Sequence, residues 1–316
     1  MTQATVISPA SQHAGTFSAD APAAMPEAAV APLPRVTPLP RVMLEPLVRA
    51  ALLEDLGRAG DITSDAIAPA GAQATMTLTA RDHGVLAGLD LAVLAFQLID
   101  PAIRIDIAVT DGATLAPGQV IATIRGPARG MLTAERTALN FLGHLSGVAS
   151  VTNGIVRAIT GQKARIVCTR KTTPGLRAVE KYAVRAGGGS NHRFGLDDAV
   201  LVKDNHIAIA GGVTEAIRRV RASVGHMVKV EVEVDALAQL HEALALGVDA
   251  VLLDNMTPEQ LREAVAITAG RAITEASGRV TAATAPAIAA AGVDLISIGW
   301  LTHSAPVLDI GLDWQG

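Results

Sequence analysis

Apolar and polar positions along the chain fall into two regimes. In the first, helical and alternating patterns are mixed. MLEPLVRAALLEDL (43–56) repeats Leu44, Leu47, Val48 and Leu52 at helical spacing and stops before Gly57. ATMTLTARDHGVLAG (74–88) alternates as a strand does and then turns at glycine. DGATLAPGQVIATIRG (111–126) has short glycine-punctuated strands like those of lipoyl-carrier domains, without their hairpin-tip lysine, and reads as a small sheet. MLTAERTALNFLGHLSG (131–147) brings Leu132, Leu139, Leu142 and Leu145 near one helical face and leaves Arg136 pointing elsewhere.

In the second regime, short apolar runs alternate with helical segments. The runs are RIVC (165–168), AVLVK (199–203), VKVEVEV (228–234), AVLLD (250–254), AIT (272–274) and LISIG (295–299). Such alternation predicts a parallel sheet. DAVLVKDN from 198, DAVLLDN from 249 and DLISIGW from 294 repeat one unit, and each closes its strand on the fifth residue after the aspartate: Lys203, Asp254 and Gly299. Gly247 and Gly292 end the helices before the last two, and Thr257-Pro258-Glu259-Gln260 forms a capping box. The predicted fold class is therefore α/β, with about six βα units closing into an open, incomplete barrel.

Composition narrows the classes of function. The chain has 316 residues, enough for one large domain or two unequal ones. Lys+Arg 26 against Asp+Glu 30 gives net charge -4, so any cationic site is local and no nucleic-acid partner is expected. The lone cysteine, Cys168, cannot form an internal disulfide and fits a reducing compartment. No long uncharged apolar span or signal-peptide pattern is present, so a cytoplasmic protein without membrane attachment is expected. Residues 1–40 carry seven prolines among Ala, Ser and Thr and read, up to 42, as a disordered Pro/Ala-rich tail. A transit peptide fits less well, since Arg35 is the first arginine and follows Asp20 and Glu27.

In α/β barrels the reactive residues sit at the carboxyl ends of the strands. Here those ends supply Arg170 and Lys171, Lys203 and Asp204, Glu231 and Glu233, Asp254, Ser277 with Gly278, and Gly299. Within VKVEVEV the alternation puts Lys229, Glu231 and Glu233 on one face. Glu233 reads as functional; Glu231 stands evenly between a functional carboxylate and a salt-bridged barrel layer. Arg136, Arg170, Lys171, Arg193 and Lys203, with His192, form a cationic set suited to phosphates or carboxylates. Glu233 and Asp254 opposite them suit Mg²⁺ or sugar hydroxyls. RAGGGSNHRFG (185–195) would let backbone pass close to the ligand, although a glycine run alone is an ordinary loop. There is no G-x-x-x-x-G-K-[ST] loop and no strand-borne G-x-G-x-x-G. Cys168 reads as a buried strand residue, not a nucleophile, and Asp197-Asp198 as a turn.

TRKTTPGLRAVEKYAVRAGGGSNHRFGLDDAVLVKDNHI (169–207) resembles the signature of the quinolinate phosphoribosyltransferase family. The resemblance extends to EDLGRAGDITSDAI (54–67), AERTALNFLGHLSG (134–147), VEVEVDAL (230–237), LLDNMTPEQL (252–261), EASGRVT (275–281) and SIGWLTHS (297–304). It implies a type II phosphoribosyltransferase: an N-terminal α/β sandwich over 43–148, an open α/β barrel over 149–303, and a segment 304–316 packing back on the first domain. The implied reaction joins quinolinate to phosphoribosyl pyrophosphate, giving nicotinate mononucleotide, pyrophosphate and CO₂ for NAD biosynthesis.

The resemblance also implies the roles of residues. Quinolinate would be held by Arg136 of the neighbouring subunit with Arg170, His192, Arg193 and Lys203. Phosphoribosyl pyrophosphate and Mg²⁺ would be held by Thr169, Lys171, Glu233, Asp254 and the loops Ser277-Gly278-Arg279 and Gly299-Trp300-Leu301. Lys171, Glu233 and Asp254 would carry the chemistry, the two acids reaching the metal through water or substrate. The assembly would be a homodimer or a set of dimers. Arg279 and Trp300 depart from residues common in the family: Arg279 would add a phosphate contact or turn outward, and Trp300 would narrow the pocket or pack behind it. A paralogue acting on another base, or a non-catalytic sensor of phosphorylated sugars, would be expected to have lost one or more of these residues, and all are present.

Overall fold

The structure, a computed structural model, describes residues 36–315. Most of the Pro/Ala-rich tail lies outside the described residues, but its last part, 36–42, belongs to the fold. Val36 and Leu39 rest on the apolar core, and helix α1 (Arg41–Leu56) begins directly after Pro40, whose φ of -58° suits helix entry. Two apolar side chains between prolines are enough to seat this stretch.

α1 buries Leu44, Val48 and Leu52. The Asp61 carboxylate accepts the Ser64 N–H at 2.9 Å and caps α2 (Ile62–Ile67). Then follow β1 (Gln73–Ala80), β2 (Gly84–Val85), α3 (Leu89–Ile99), β3 (Arg104–Ile107), β4 (Thr114–Leu115) and β5 (Val120–Pro127). β1, β5 and β3 form an antiparallel sheet, which β12 (Ile310–Trp314) completes on the free edge of β1; Met76 has Ile124 on one side and Trp314 on the other. The chain's last strand thus belongs to its first domain.

The helix expected over 131–147 is one continuous helix, α4 (Ala128–Ala158), of 31 residues. Its first half buries Met131, Ala134, Ala138, Leu142 and Leu145 in the N-terminal core, and Ile155 near its end enters the barrel core. The domain boundary placed at 148 therefore falls inside a helix that both cores share. Leu132 is exposed, off the face it was assigned to. The buried stripe follows the small residues Ala134 and Ala138, which let the helix approach α3 and the sheet.

The second unit holds β6 (Arg165–Val167), α5 (Arg177–Ala186), β7 (Val200–Val202), α6 (Asp204–Ala210), α7 (Val213–Ser223), β8 (Val230–Val234), α8 (Leu237–Ala245), β9 (Ala250–Asp254), α9 (Pro258–Thr268), β10 (Ile273–Ser277), α10 (Ala285–Ala289), β11 (Leu295–Ser297) and α11 (Trp300–His303). The six strands are parallel in the order β6-β11-β10-β9-β8-β7. This is a barrel order with one seam, since β6 pairs with β11 and not with β7. β10 is longer than the expected 272–274: its pairing with β9 runs to Ser277↔Asp254. Its polar residues Thr274 and Glu275 are buried strand residues.

Candidate active site

The seam is where RAGGGSNHRFG runs. Ser190 forms a parallel bridge with Val167, donating its N–H to Ile166 O and accepting that of Cys168. The segment thus stands in for a short strand beside β6. Reaching it requires a tight approach to α4: a Cβ on Gly187 would lie 2.3 Å from Ala149 O. Beyond Ser190, the Asp198 carboxylate accepts the N–H groups of Phe194 and Gly195 and closes the following turn. His192 and Arg193 are held between these two anchors at the barrel mouth.

Arg193 spends one N–H on Ala199 O at 2.9 Å. Burial, and then the charge of Arg170, hold its guanidinium below the usual arginine range. The Nε of Arg170 is buried without a partner. Among the described residues, Arg136, Arg170, Lys171 and Arg193 have no carboxylate within ion-pair distance, whereas surface arginines such as Arg41, Arg125 and Arg129 do. Two crowded, unpaired guanidinium groups are costly unless an anion joins them. Arg136 is exposed on α4, and Lys203 sits 3.6 Å from the Glu233 carboxylate.

Lys171 is fixed through its backbone. Its N–H donates to Thr169 Oγ1 at 3.0 Å, and its carbonyl accepts the Thr302 hydroxyl at 2.7 Å. A Cβ on Gly299 would lie 2.7 Å from Lys171 Cδ, so the glycine lets the lysine stem cross the end of β11. Opposite, burial raises the Glu233 carboxyl; Lys203 works against the rise, and Asp254 and Asp204 add to it. Asp254 and Asp204 are thus near enough to act on Glu233, an acidic face suited to hydroxyl donors or to a cation held through water.

The loops after β9, β10 and β11 are tied together. Asn255 donates its N–H to Ser277 O at 2.9 Å, and Trp300 donates Nε1–H to Val280 O at 2.8 Å while packing on the barrel core. Trp300 therefore packs behind the loops, and Leu301 is buried. Arg279 is exposed and held at φ 46°, in the left-handed region. Replacing Trp300 with phenylalanine keeps the packing and removes the tie. If these loops bind phosphate, KM for phosphoribosyl pyrophosphate should rise about fivefold, the worth of one hydrogen bond near 1 kcal/mol, with KM for the base unchanged in steady-state assays.

Two residues of the site escape the strand-end argument. Glu275 lies inside β10 and is 1% exposed; Lys181, on α5, is 2% exposed. Lys181 donates to His192 O at 2.9 Å and to Cys168 Sγ at 3.0 Å, so Cys168 is enclosed and not open to a substrate. His192 Nε2 is 3.0 Å from Glu231 Oε2 and 3.6 Å from Glu275 Oε1. Burial along β10 covers three consecutive residues, Thr274 to Ala276, so no alternation in the sequence marks Glu275. Nothing in the spacing of α5 marks Lys181 as more than a solvated helix residue.

An open parallel barrel with unpaired cations at its strand ends, facing an acidic cluster, defines an α/β-barrel enzyme of polyanionic substrates. Family models for the N-terminal domain of quinolinate phosphoribosyl transferase match residues 61–146, and for its C-terminal domain residues 148–313. The nicotinate-nucleotide pyrophosphorylase [carboxylating] of Mycobacterium leprae is 47% identical over 271 residues, covering 84% of this chain and 95% of that protein. A probable enzyme of the same name from Bacillus subtilis is 44% identical over 271 residues, covering 85% and 93%. The crystal structure of NadC from Streptococcus pyogenes superposes with a TM-score of 0.85 at 43% identity, covering 89% of this chain and all of that one. The chain belongs to the quinolinate phosphoribosyltransferase family.

Proposed function

We propose that the cations at the barrel mouth grip quinolinate while the strand-end acids and Lys171 hold phosphoribosyl pyrophosphate. The protein is a decarboxylating phosphoribosyltransferase: it converts quinolinate and phosphoribosyl pyrophosphate to nicotinate mononucleotide, pyrophosphate and CO₂ in de novo NAD biosynthesis. The observation that carries the site assignment is the adjacency of Arg170 and Arg193, neither of which has a carboxylate within ion-pair distance among the described residues. A dicarboxylate supplies the missing charge and can take guanidinium groups in bidentate fashion.

Arg170, Arg193 and His192, with Lys203 and Arg136 from a second subunit, fix both carboxylates so that the ring nitrogen faces C1 of the ribose. That orientation replaces a two-body encounter with a positioned one. As the C1–O bond to pyrophosphate breaks, positive charge grows on the sugar and negative charge on the departing oxygen. Lys171 meets the latter. Glu233 and Asp254 hold the ribose hydroxyls, and the repulsion among the acids makes them suitable holders of Mg²⁺ through water or substrate. When bound, Mg²⁺ neutralises pyrophosphate charge. After nitrogen is ribosylated, the C2–carboxylate bond breaks, its electron pair stays on C2 beside the pyridinium, and a proton takes the place of CO₂. The loops Ser277-Gly278-Arg279 and Gly299-Trp300-Leu301 receive the 5-phosphate.

The working unit in this reading is a cytoplasmic homodimer, supported by the single buried free cysteine and by Arg136, exposed and without an ion-pair partner among the described residues. Subunit mixing tests the shared site. Arg136→Ala and Arg193→Ala proteins should each be nearly inactive, and an equimolar mixture allowed to exchange should regain about a quarter of wild-type activity, since half the dimers are mixed and each has one intact site. Activity that stays at the sum of the parents would place Arg136 in its own subunit's site or in none.

A further inference from the structure

Between β9 and α9 one exposed side chain touches two parts of the site at once. Asn255 follows Asp254, the last residue of β9, and α9 takes its cap from Thr257 and Gln260, so Asn255 is not needed as one. Among the described residues only three that are not glycine take a positive φ: Asn255 at 53°, Ala269 at 49° and Arg279 at 46°. Ala269 ends α9, whereas Asn255 and Arg279 stand in neighbouring loops of the barrel mouth. Asparagine tolerates the left-handed region better than most side chains, but tolerance alone does not account for what this one touches.

Three contacts fix it. Its backbone N–H donates to Ser277 O at 2.9 Å, one step beyond the last β9–β10 pair, Asp254 with Ser277. Its Nδ2–H donates to the Asp254 carboxylate, as only the nitrogen end of the amide can. The oxygen end lies against Gly278: a Cβ on that glycine, itself at φ 105°, would stand 2.2 Å from Asn255 Oδ1 and 2.8 Å from its Cγ. The side chain thus bridges the acid assigned to the ribose hydroxyls and the loop assigned to the 5-phosphate.

We propose that Asn255 is a positioning residue for the phosphoribosyl group: by gripping Asp254 and bracing Gly278, it sets the carboxylate in place relative to the phosphate loop. The proposal rests on reading Asp254 and Ser277-Gly278-Arg279 as holders of phosphoribosyl pyrophosphate. Among the described residues the Asn255 amide is the one side-chain donor to Asp254, whose neighbour Glu233 carries like charge. Without that donor nothing described fixes the plane of the carboxylate. In the free protein the contact faces solvent, where water can take the place of the amide, and it adds little to stability. A bound sugar covers the mouth and excludes that water, so the bond counts in the complex and not in the free fold.

The test is steady-state kinetics of full-length Asn255→Gly, each substrate varied in turn. Glycine takes the left-handed backbone freely and keeps the N–H to Ser277, so only the side chain is lost, and thermal unfolding should stay within a few degrees of wild type. KM for phosphoribosyl pyrophosphate should rise about tenfold, the scale of one hydrogen bond to a charged group, with KM for quinolinate within about twofold. Inhibition by ribose 5-phosphate, which reaches both contacts without pyrophosphate, should weaken by a similar factor. Asn255→Asp keeps the shape and the backbone preference but not the donor, and should lose affinity as Asn255→Gly does. Wild-type kinetics in either variant, unchanged inhibition by ribose 5-phosphate, or equal rises in both KM values would overturn the proposal. Asp254→Asn separates the two levels: if it leaves KM for phosphoribosyl pyrophosphate unchanged, the reading of Asp254 falls and the proposal with it, whereas if it raises that KM and Asn255→Gly does not, the proposal alone falls. Should neither Asn255 variant fold, the residue serves the fold and not the substrate, and the proposal falls as well.

Discussion

Arg193→Ala is expected to raise KM for quinolinate by on the order of a hundredfold to a thousandfold. A hydrogen bond to a charged group is worth roughly 1.5–3 kcal/mol, so loss of a bidentate pair costs about 3–4 kcal/mol. Arg193 has most of its fork free, because only one N–H is committed, to Ala199 O. The substitution relieves repulsion with Arg170 but gives up the Ala199 hydrogen bond and the attraction to Asp198 and Glu231, so thermal unfolding provides the control for folding. KM for phosphoribosyl pyrophosphate should change little. A parallel rise in both constants would assign Arg193 to general architecture instead of the dicarboxylate.

Lys171→Ala is expected to act on the other side of the reaction, lowering kcat by about a thousandfold while quinolinate affinity is retained. Removing one preorganised group that meets charge only in the transition state costs about 10²–10³, and the flexible lysine stem holds its place here through fixed backbone. Thr169 and Thr302 bind that backbone irrespective of the side chain, so the strand end survives truncation. Single-turnover rates measured at saturating substrates isolate the step. Arginine should not substitute, because a planar fork cannot follow the path over Gly299 that the narrow stem takes. A loss confined to KM would contradict this role.

The barrel was readable from the chain because its repeating unit is local: an aspartate, an apolar run and a closing residue recur at 198, 249 and 294. The strand-end rule then places Lys203, Glu233 and Asp254 at one mouth from spacing alone. What escaped depends on pairing between distant segments. Neither the seam nor the insertion of Ser190 beside β6 follows from periodicity, since both are set by which strands meet. α4 was underestimated because its last turns, with Val151, Ile155 and Val156, pack in a different core from its first half. Glu275 and Lys181 were missed because an acid and an amine in short elements look solvated until barrel closure brings them to the same floor. Val36 and Leu39 were lost among prolines, where two apolar contacts leave no periodic trace.

The central claim is that the unpaired cations select a dicarboxylate base. It is tested most directly by incubating the purified protein with phosphoribosyl pyrophosphate, Mg²⁺ and either quinolinate or nicotinate, following nicotinate mononucleotide and released CO₂. The account predicts product and equimolar CO₂ from quinolinate and essentially none from nicotinate. Comparable turnover of nicotinate, or no product from quinolinate by protein that still binds phosphoribosyl pyrophosphate, would contradict it.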